Sequence, residues 1–130
     1  MGLFDMFKSE RDIAKEEIKE MNWIALEREE QLDEIIEISK TTPVLIFKHS
    51  TTCGISRMSL KQFEKEYDFK KEDLEPYFLD LKKHRGISNA VAEKFDRRHE
   101  SPQVLLIRDG KAVYDESHSG ISVGDLKEQV

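Results

Sequence analysis

The stretch VLIFKHSTTCGIS, residues 44–56, decides how the chain folds. Its first four residues are large and apolar, and two of them are β-branched, which is typical of a strand buried on both faces. Turn-forming residues follow, and apolar side chains then recur at helical spacing from residue 54 to residue 67. The single cysteine of the chain, Cys53, is therefore predicted to lie between a buried strand and the start of a helix.

The same alternation continues on both sides of this stretch. The patterns predict strands at residues 21–26, 44–47, 77–81, 103–107 and 111–114, and helices at 28–40, 54–67, 87–99 and about 122–130. Asp109-Gly110 predicts a tight hairpin turn, so the last two strands should be antiparallel, whereas strands separated by helices should be parallel. The sequence thus predicts an α/β, thioredoxin-like fold with a central mixed sheet flanked by helices.

Residues 1–22 precede this pattern and are predicted to be an N-terminal leader, helical or frayed. Ser9 could cap a short helix, and Ile13, Ile18 and Met21 form only a thin apolar stripe. A docked or frayed appendage is favoured over a partner-binding helix, since chain ends are usually poorly ordered. We expect the thioredoxin-like domain to span residues 23–130.

Length and charge restrict the function. A chain of 130 residues fits one domain, and no apolar run approaches the length of about 18 residues that a membrane-spanning helix needs. The net charge of −6 arises within residues 1–43, which hold 12 acidic and 6 basic side chains. We therefore expect no nucleic-acid or membrane partner. One cysteine and no secretory segment predict a cytoplasmic, reducing location.

The position of Cys53 favours a reactive thiol. A lone cysteine is usually inert packing, but the neighbours of Cys53 are turn residues. The positive end of a helix stabilises a thiolate, and Lys48, Arg57 and Lys61 could add positive potential. Ser56 stands where a dithiol enzyme would have its second cysteine, and its hydroxyl could donate a hydrogen bond to the sulfur. A single thiol predicts a mixed disulfide as the product.

The other polar residues predict no second chemistry. The four histidines are scattered along the chain without paired ligand spacing, so we expect surface or capping roles and no metal site. The serines lack a base that the sequence makes visible, and no glycine-rich phosphate loop is present.

Three segments together resemble a known family. KHSTTCGIS at 48–56, HESPQVLLI at 99–107 and SHSGI at 117–121 closely resemble the monothiol bacilliredoxins of the YtxJ type. The resemblance covers about residues 23–130 and implies a thioredoxin fold. It implies removal of bacillithiol from protein mixed disulfides, with Cys53 as the nucleophile and S-thiolated client proteins as partners. We expect the protein to act as a monomer.

The resemblance also implies the thiol-binding residues. Ser101-Pro102 would match the cis-proline of the thioredoxin fold, and the remaining candidates lie around Cys53 or in the SHSGI segment. These candidates are Lys48, Thr52, Gly54 and Gly120, besides the catalytic pair Cys53 and Ser56. The expected small-molecule partner is bacillithiol or a related low-molecular-weight thiol.

One departure leaves an alternative open. Family members often have proline after the active cysteine, whereas Gly54 makes the tetrad Cys-Gly-Ile-Ser, which is similar to that of monothiol glutaredoxins. Gly120 followed by Asp125 is also similar to their glutathione-binding turn. Those proteins bind a [2Fe-2S] cluster between two subunits, so a cluster carrier is the second hypothesis. A third is a thioredoxin-fold adaptor whose acidic N-terminal part is the working surface.

Overall fold

A computed structural model describes residues 23–50, 54–70 and 72–130, without the side chains of Ile55 and Ser119. The predicted leader, residues 1–22, lies outside the described residues. The strands are β1 (Ile24–Ala25), β2 (Val44–His49), β3 (Glu75–Asp80), β4 (Gln103–Arg108) and β5 (Lys111–Ser117). The helices are α1 (Gln31–Ile38), α2 (Gly54–Glu66), α3 (Arg85–Lys94) and α4 (Val123–Gln129), with a 3₁₀ turn at His118–Gly120.

Within the described part of the chain, the strands form one mixed sheet in the order β1-β3-β2-β4-β5. β1 and β2 each pair in parallel with β3, whereas β4 is antiparallel to both β2 and β5. β2 is central, and all six of its residues are buried. These pairings confirm the predicted thioredoxin-like arrangement and its antiparallel final pair.

Alternating residues of β2 belong to two hydrophobic cores, one on each face of the sheet. Val44 and Ile46 belong to the core that α1 and α3 cover, and Leu45 and Phe47 belong to the core that α2 and α4 cover. Because successive strand residues point to opposite faces, the next two residues, Lys48 and His49, continue the alternation. Lys48 and His49 are therefore both buried, one on each face of the sheet.

Several predicted boundaries were wrong. α3 begins at Arg85 instead of residue 87 and contains Gly86 in its first turn, where glycine lowers the helix propensity without ending the helix. The same helix ends at Lys94 instead of residue 99, because Asp96 adopts a left-handed conformation with φ 51°. His99 therefore lies in a loop.

The apolar side chains of α2 do not all lie on its buried face. Phe63 is buried, but Met58 is 73% exposed. The helix ends at Glu66, so Tyr67 follows it and packs from the connecting loop against Phe63. Met58 points away from the sheet because it lies five residues, about one and a half helical turns, before Phe63.

Candidate active site at the end of the central strand

The site gathers where β2 ends and α2 begins. β2 ends at His49 and α2 starts at Gly54, so residues 50–53 connect them. Cys53 and Thr52, predicted as nucleophile and thiol-binding residue, lie outside the described residues. Their roles stay predictions, and the residues on both sides of them define the surroundings.

Ser56, in the first turn of α2, is hydrogen-bonded to the end of β2 and to the residue that follows it. Its side chain is fully buried, and its Oγ accepts a hydrogen bond of 3.0 Å from the backbone N–H of Ser50. The same oxygen lies 2.9 Å from Nδ1 of His49, and the tautomer of the imidazole decides which of the two groups donates. Ser56 is thus held by the last residue of β2 and by the first residue after it. Its predicted hydrogen bond to the Cys53 sulfur stays a prediction.

His49 is not the surface residue that the sequence suggested. It is buried, and its ring lies 5.5 Å from the Phe78 ring, centroid to centroid. Burial lowers the pKa of His49 below its ordinary value; the Asp80 carboxylate and the hydrogen bond with Ser56 oppose this change, and Arg57 adds to it. The imidazole is therefore neutral at neutral pH and serves as a hydrogen-bond partner.

Lys48 occupies the opposite face and differs from the expectation for a thiol-binding side chain. It is fully buried, and its Nζ donates to the Ser88 carbonyl at 3.3 Å and to Nδ1 of His99 at 3.2 Å. Burial lowers the pKa of Lys48 to about 8. The ammonium is directed at α3 and the loop after it, so Lys48 does not line an exposed surface.

The contact with Lys48 fixes the state of His99. An ammonium group can only donate, so Nδ1 of His99 must accept and its proton must lie on Nε2. Ser88 Oγ lies 3.1 Å from the same Nδ1. Burial, Lys48 and Arg85 lower the pKa of His99, while Glu100 opposes them. The surface role expected for His99 is therefore corrected: it joins β2, α3 and the loop that precedes β4.

That loop contains the predicted proline. The Ser101–Pro102 bond is cis, as the family resemblance implied, and Pro102 is buried. The buried Gln103 shapes the loop, since its Nε2 donates to the Arg98 carbonyl at 2.9 Å and its Oε1 accepts from the Glu100 N–H at 3.3 Å. Lys48 pairs with Gln103 across the sheet, so Pro102 lies at the sheet end from which the chain leaves toward Cys53.

The hydroxyl of Ser101, which precedes Pro102, is available for a hydrogen bond. Its Oγ is enclosed, yet it has no hydrogen-bond partner among the described residues. A buried hydroxyl without a hydrogen-bond partner lowers the stability of a protein by about 1–3 kcal/mol. The Ser101 oxygen is therefore available for a hydrogen bond with a further group. The arrangement is compatible with the thiol-binding role predicted for Ser101.

Gly120 lies near Pro102, at the same end of the sheet. The 3₁₀ turn His118–Gly120 lies against α2, and the His118 N–H donates to the Pro102 carbonyl at 3.1 Å. His118 is exposed, as expected for a surface histidine, and its Nε2 lies 3.1 Å from the Glu100 carboxylate. A Cβ at Gly120 would lie 2.5 Å from Oε1 of Glu116. The structure thus brings Ser56, Pro102 and Gly120 to one end of the sheet.

Gly54 and Arg57 complete the described surface at the start of α2. Gly54 is exposed, and a Cβ there would have no neighbour within 4 Å. Arg57 lies in the first turn, which contains no acidic residue. Both features suit an anion at the amino end of α2.

Among the described residues, no group of three or more histidine, cysteine or acidic side chains could hold a metal ion. The [2Fe-2S] alternative would use Cys53, which lies outside that part of the chain, so it stays a prediction. In the same described part, no helix is long and apolar enough to cross a membrane.

The family is decided by sequence comparison. A model of the monothiol bacilliredoxin family BrxC matches residues 24–126. The chain belongs to the monothiol bacilliredoxin family. The match confirms the resemblance seen in the three segments, and residues 1–22 precede it.

Solved structures place this bacilliredoxin-family chain among thioredoxin folds. A protein proposed to be an oxidoreductase with a thioredoxin fold is 33% identical, with a TM-score of 0.69 over 81% of this chain and 90% of that one. Thioredoxin from Malassezia sympodialis is 17% identical, with a TM-score of 0.63 over 81% and 84% of the two chains. Thioredoxin from Fasciola hepatica is 21% identical, with a TM-score of 0.59 over 81% and 93%. The chain is a thioredoxin-fold redox protein.

Sequence reasoning missed His49, His99 and Ser88 as parts of the site. Histidines scattered along a sequence carry no spacing signal, because their partners come from other elements. One signal was available for His49: a strand buried on both faces was predicted at 44–47, and extending it by two residues would have buried Lys48 and His49.

Proposed function

We propose that this protein is a monothiol thiol-disulfide oxidoreductase that removes bacillithiol from protein mixed disulfides through Cys53. The observation that carries the proposal is the position of the single cysteine in a bacilliredoxin-family chain. Cys53 directly precedes α2 in the sequence, and the start of α2, with the buried Ser56, lies at the same end of the sheet as Pro102.

The reaction is an exchange between a thiolate and a disulfide. The Cys53 thiolate attacks the bacillithiol sulfur of the client disulfide, a Cys53–bacillithiol disulfide forms, and the client leaves as a thiolate. One disulfide is broken and one is formed, so no external oxidant or reductant enters this step. A second low-molecular-weight thiol, or another redox protein with a free thiol, then releases bacillithiol from Cys53.

The described residues support each requirement of this step. The amino end of α2 and Arg57 favour the attacking thiolate. Ser56 cannot form a disulfide, so the captured thiol stays on Cys53 until a second thiol arrives. Ser101 Oγ has an unused hydrogen-bonding capacity next to the cis-proline, where a bound thiol would lie. Thr52, Gly54 and Gly120 are the other proposed contacts, and Lys48 contributes from inside by holding the loop that carries Pro102.

The proposal includes the oligomeric state, the cellular compartment and the partners. The protein works as a monomer in the cytoplasm, on S-thiolated clients, without a metal. Exchange of a small thiol with a client requires a reducing compartment, in which a free Cys53 persists.

The function is tested by the pH dependence of Cys53 alkylation together with the release of client thiol. We expect a Cys53 pKa below the ordinary value of about 8.5 and, without an added thiol, release of one client thiol per Cys53 from a bacillithiol-modified client. Cys53→Ser should release none, whereas Ser59→Ala, a change elsewhere on α2, should match the wild type. An ordinary Cys53 pKa without thiol release would favour the adaptor hypothesis instead.

A further inference from the structure

The outer face of α2 carries an open groove, and only its Gly54 and Arg57 end takes part in the proposed reaction. Six described residues line it, over nearly three turns of the helix: Gly54, Arg57, Met58, Leu60, Lys61 and Glu64. Met58 is 73% exposed and is the most exposed of the large apolar side chains in the described part of the chain. Methionine is flexible and polarisable, so Met58 offers an adaptable apolar contact to a segment that covers the groove.

The groove is bordered by cations. Arg57, Lys61 and Lys65 follow one another at intervals of four residues, so they lie along one side of α2. None of the three has an ion-pair partner among the described residues, whereas Lys40, Lys94 and Lys127 each pair with a carboxylate. The surface therefore combines an apolar centre with a basic edge, which suits an acidic segment that carries apolar side chains.

Trp23 contacts one end of this groove. Nε1 of Trp23 donates a hydrogen bond of 2.8 Å to the Glu64 carboxylate, which lines the groove. The Trp23 ring is fixed by Phe47 and Phe63, at centroid distances of 5.8 and 6.2 Å. The point at which residues 1–22 join the domain is therefore fixed beside the Glu64 end of the groove.

Residues 1–22 have the length and the charge to fill the groove. They hold six acidic and four basic side chains, and five of the acidic ones lie between Glu10 and Glu20. From Glu64 back to Gly54 the helix rises about 15 Å, at 1.5 Å per residue, which 22 residues span in any conformation. Tethering at Trp23 also gives this segment an effective concentration of about millimolar, which a free partner would have to exceed.

We propose that residues 1–22 dock in the α2 groove, with acidic side chains against Arg57 and Lys61 and apolar ones against Met58. The docking goes beyond the proposed function and does not depend on it.

The docking is tested by the oxidation of Met58 in the full chain, measured by peptide mass spectrometry after treatment with hydrogen peroxide. The Cys53→Ser background keeps thiol chemistry out of the measurement. We expect slow oxidation of Met58, and an increase of at least threefold when Glu16→Lys, Glu17→Lys and Glu20→Lys are introduced together. Reversing the groove cations with Arg57→Glu and Lys61→Glu in that variant should restore the protection.

A matched control reverses two exposed lysines elsewhere, with Lys82→Glu and Lys83→Glu, and should restore nothing. Equal oxidation of Met58 with and without the three leader changes would overturn the proposal, and so would protection that rises with protein concentration, since a second copy would then be the occupant.

Discussion

Two neighbouring residues at the end of β2, Lys48 and His49, brace the site from opposite faces of the sheet. His49 holds Ser56 at the start of α2, and Lys48 holds His99 in the loop before Pro102. The alternation of a strand sends consecutive side chains to different layers, so one dipeptide positions both the start of α2 and the loop before Pro102. At this scale the described part of the site is a pair of buried polar contacts, one on each face of the sheet.

Removal of the Ser56 hydroxyl should destabilise the protein. Ser56→Ala leaves the Ser50 N–H and Nδ1 of His49 without this oxygen in a buried place, at a cost of about 1–3 kcal/mol in the free energy of unfolding. Urea denaturation measures the change. Ser59→Ala on the same helix is the control and should alter stability by less than about 0.5 kcal/mol. Equal effects of the two substitutions would show that Ser56 does not hold the turn.

The buried ammonium of Lys48 should make stability rise with pH above neutrality. Its pKa is about 8 in the folded protein against 10.5 as the ordinary value, so between these values the unfolded chain binds more protons. The burial penalty is complete below pH 8 and is relieved as the pH rises toward 10.5. This amounts to a gain of roughly 2 kcal/mol between about pH 7 and about pH 9.5.

Lys48→Met lacks this titration, so the difference in unfolding free energy between wild type and variant should change by that amount over the same range. Lys61→Met is the control and should follow the wild type, because the Lys61 side chain is exposed. Parallel curves for wild type and Lys48→Met across this pH range would contradict the buried-lysine account.

At the scale of elements, the β4–β5 hairpin is joined to the end of α1. Asp109 and Gly110 both have positive φ, 53° and 74°, which is the conformation of a tight hairpin turn. Ser39 follows α1, and its Oγ accepts from the Gly110 N–H at 2.8 Å while its carbonyl accepts from the Asp109 N–H at 2.9 Å. One serine thereby fixes the turn against the helix.

Alanine should be costly in this turn and harmless at another glycine. Gly110→Ala places a Cβ at positive φ and 3.2 Å from Cγ2 of Ile36, so we expect a loss of about 1–2 kcal/mol in unfolding free energy. Gly86→Ala in α3 meets no atom within 4 Å and should stabilise by up to about 1 kcal/mol. Thermal or urea unfolding compares the two variants, and a harmless Gly110→Ala would contradict the turn geometry.

The elements were predictable from the sequence to the extent that local chemistry determines them. Asp109-Gly110 and the apolar run of β2 are local signals, and both predicted their elements. The end of α3 was not predicted, because Asp96 and Phe95 end the helix through backbone conformation and no proline or glycine marks the place. Ser56 was predicted as a site residue, but its partners Ser50 and His49 become neighbours only after β2 and α2 have formed.

At the scale of the whole molecule, one sheet separates two cores that share the same strands. Leu105 belongs to the core under α1 and α3, whereas Trp23 packs against the core under α2 and α4. Since β2 and β4 contribute to both cores, neither face can lose its packing alone. We therefore expect the described domain to unfold as one cooperative unit.

This cooperativity can be tested with the single tryptophan. Leu105→Ala removes a fully buried side chain and should lower the unfolding free energy by about 2–5 kcal/mol. The urea midpoint should fall equally by Trp23 fluorescence and by far-ultraviolet circular dichroism, although Trp23 lies on the other face. Val113→Ala, at a side chain that is 46% exposed, should shift neither by more than about 0.5 kcal/mol. Separate midpoints for the two probes would contradict the single unit.

The central claim is that Cys53 receives bacillithiol from a client, and intact mass spectrometry of the reduced protein tests it most directly. The protein is mixed with a model client that carries a bacillithiol mixed disulfide, and a glutathione-modified client and Cys53→Ser are run in parallel. We predict that one bacillithiol moves onto the wild-type chain and none onto Cys53→Ser, while the glutathione arm defines the thiol preference. If neither thiol moves although Cys53 alkylates normally, the account is contradicted, and anaerobic reconstitution of an iron–sulfur cluster becomes the next experiment.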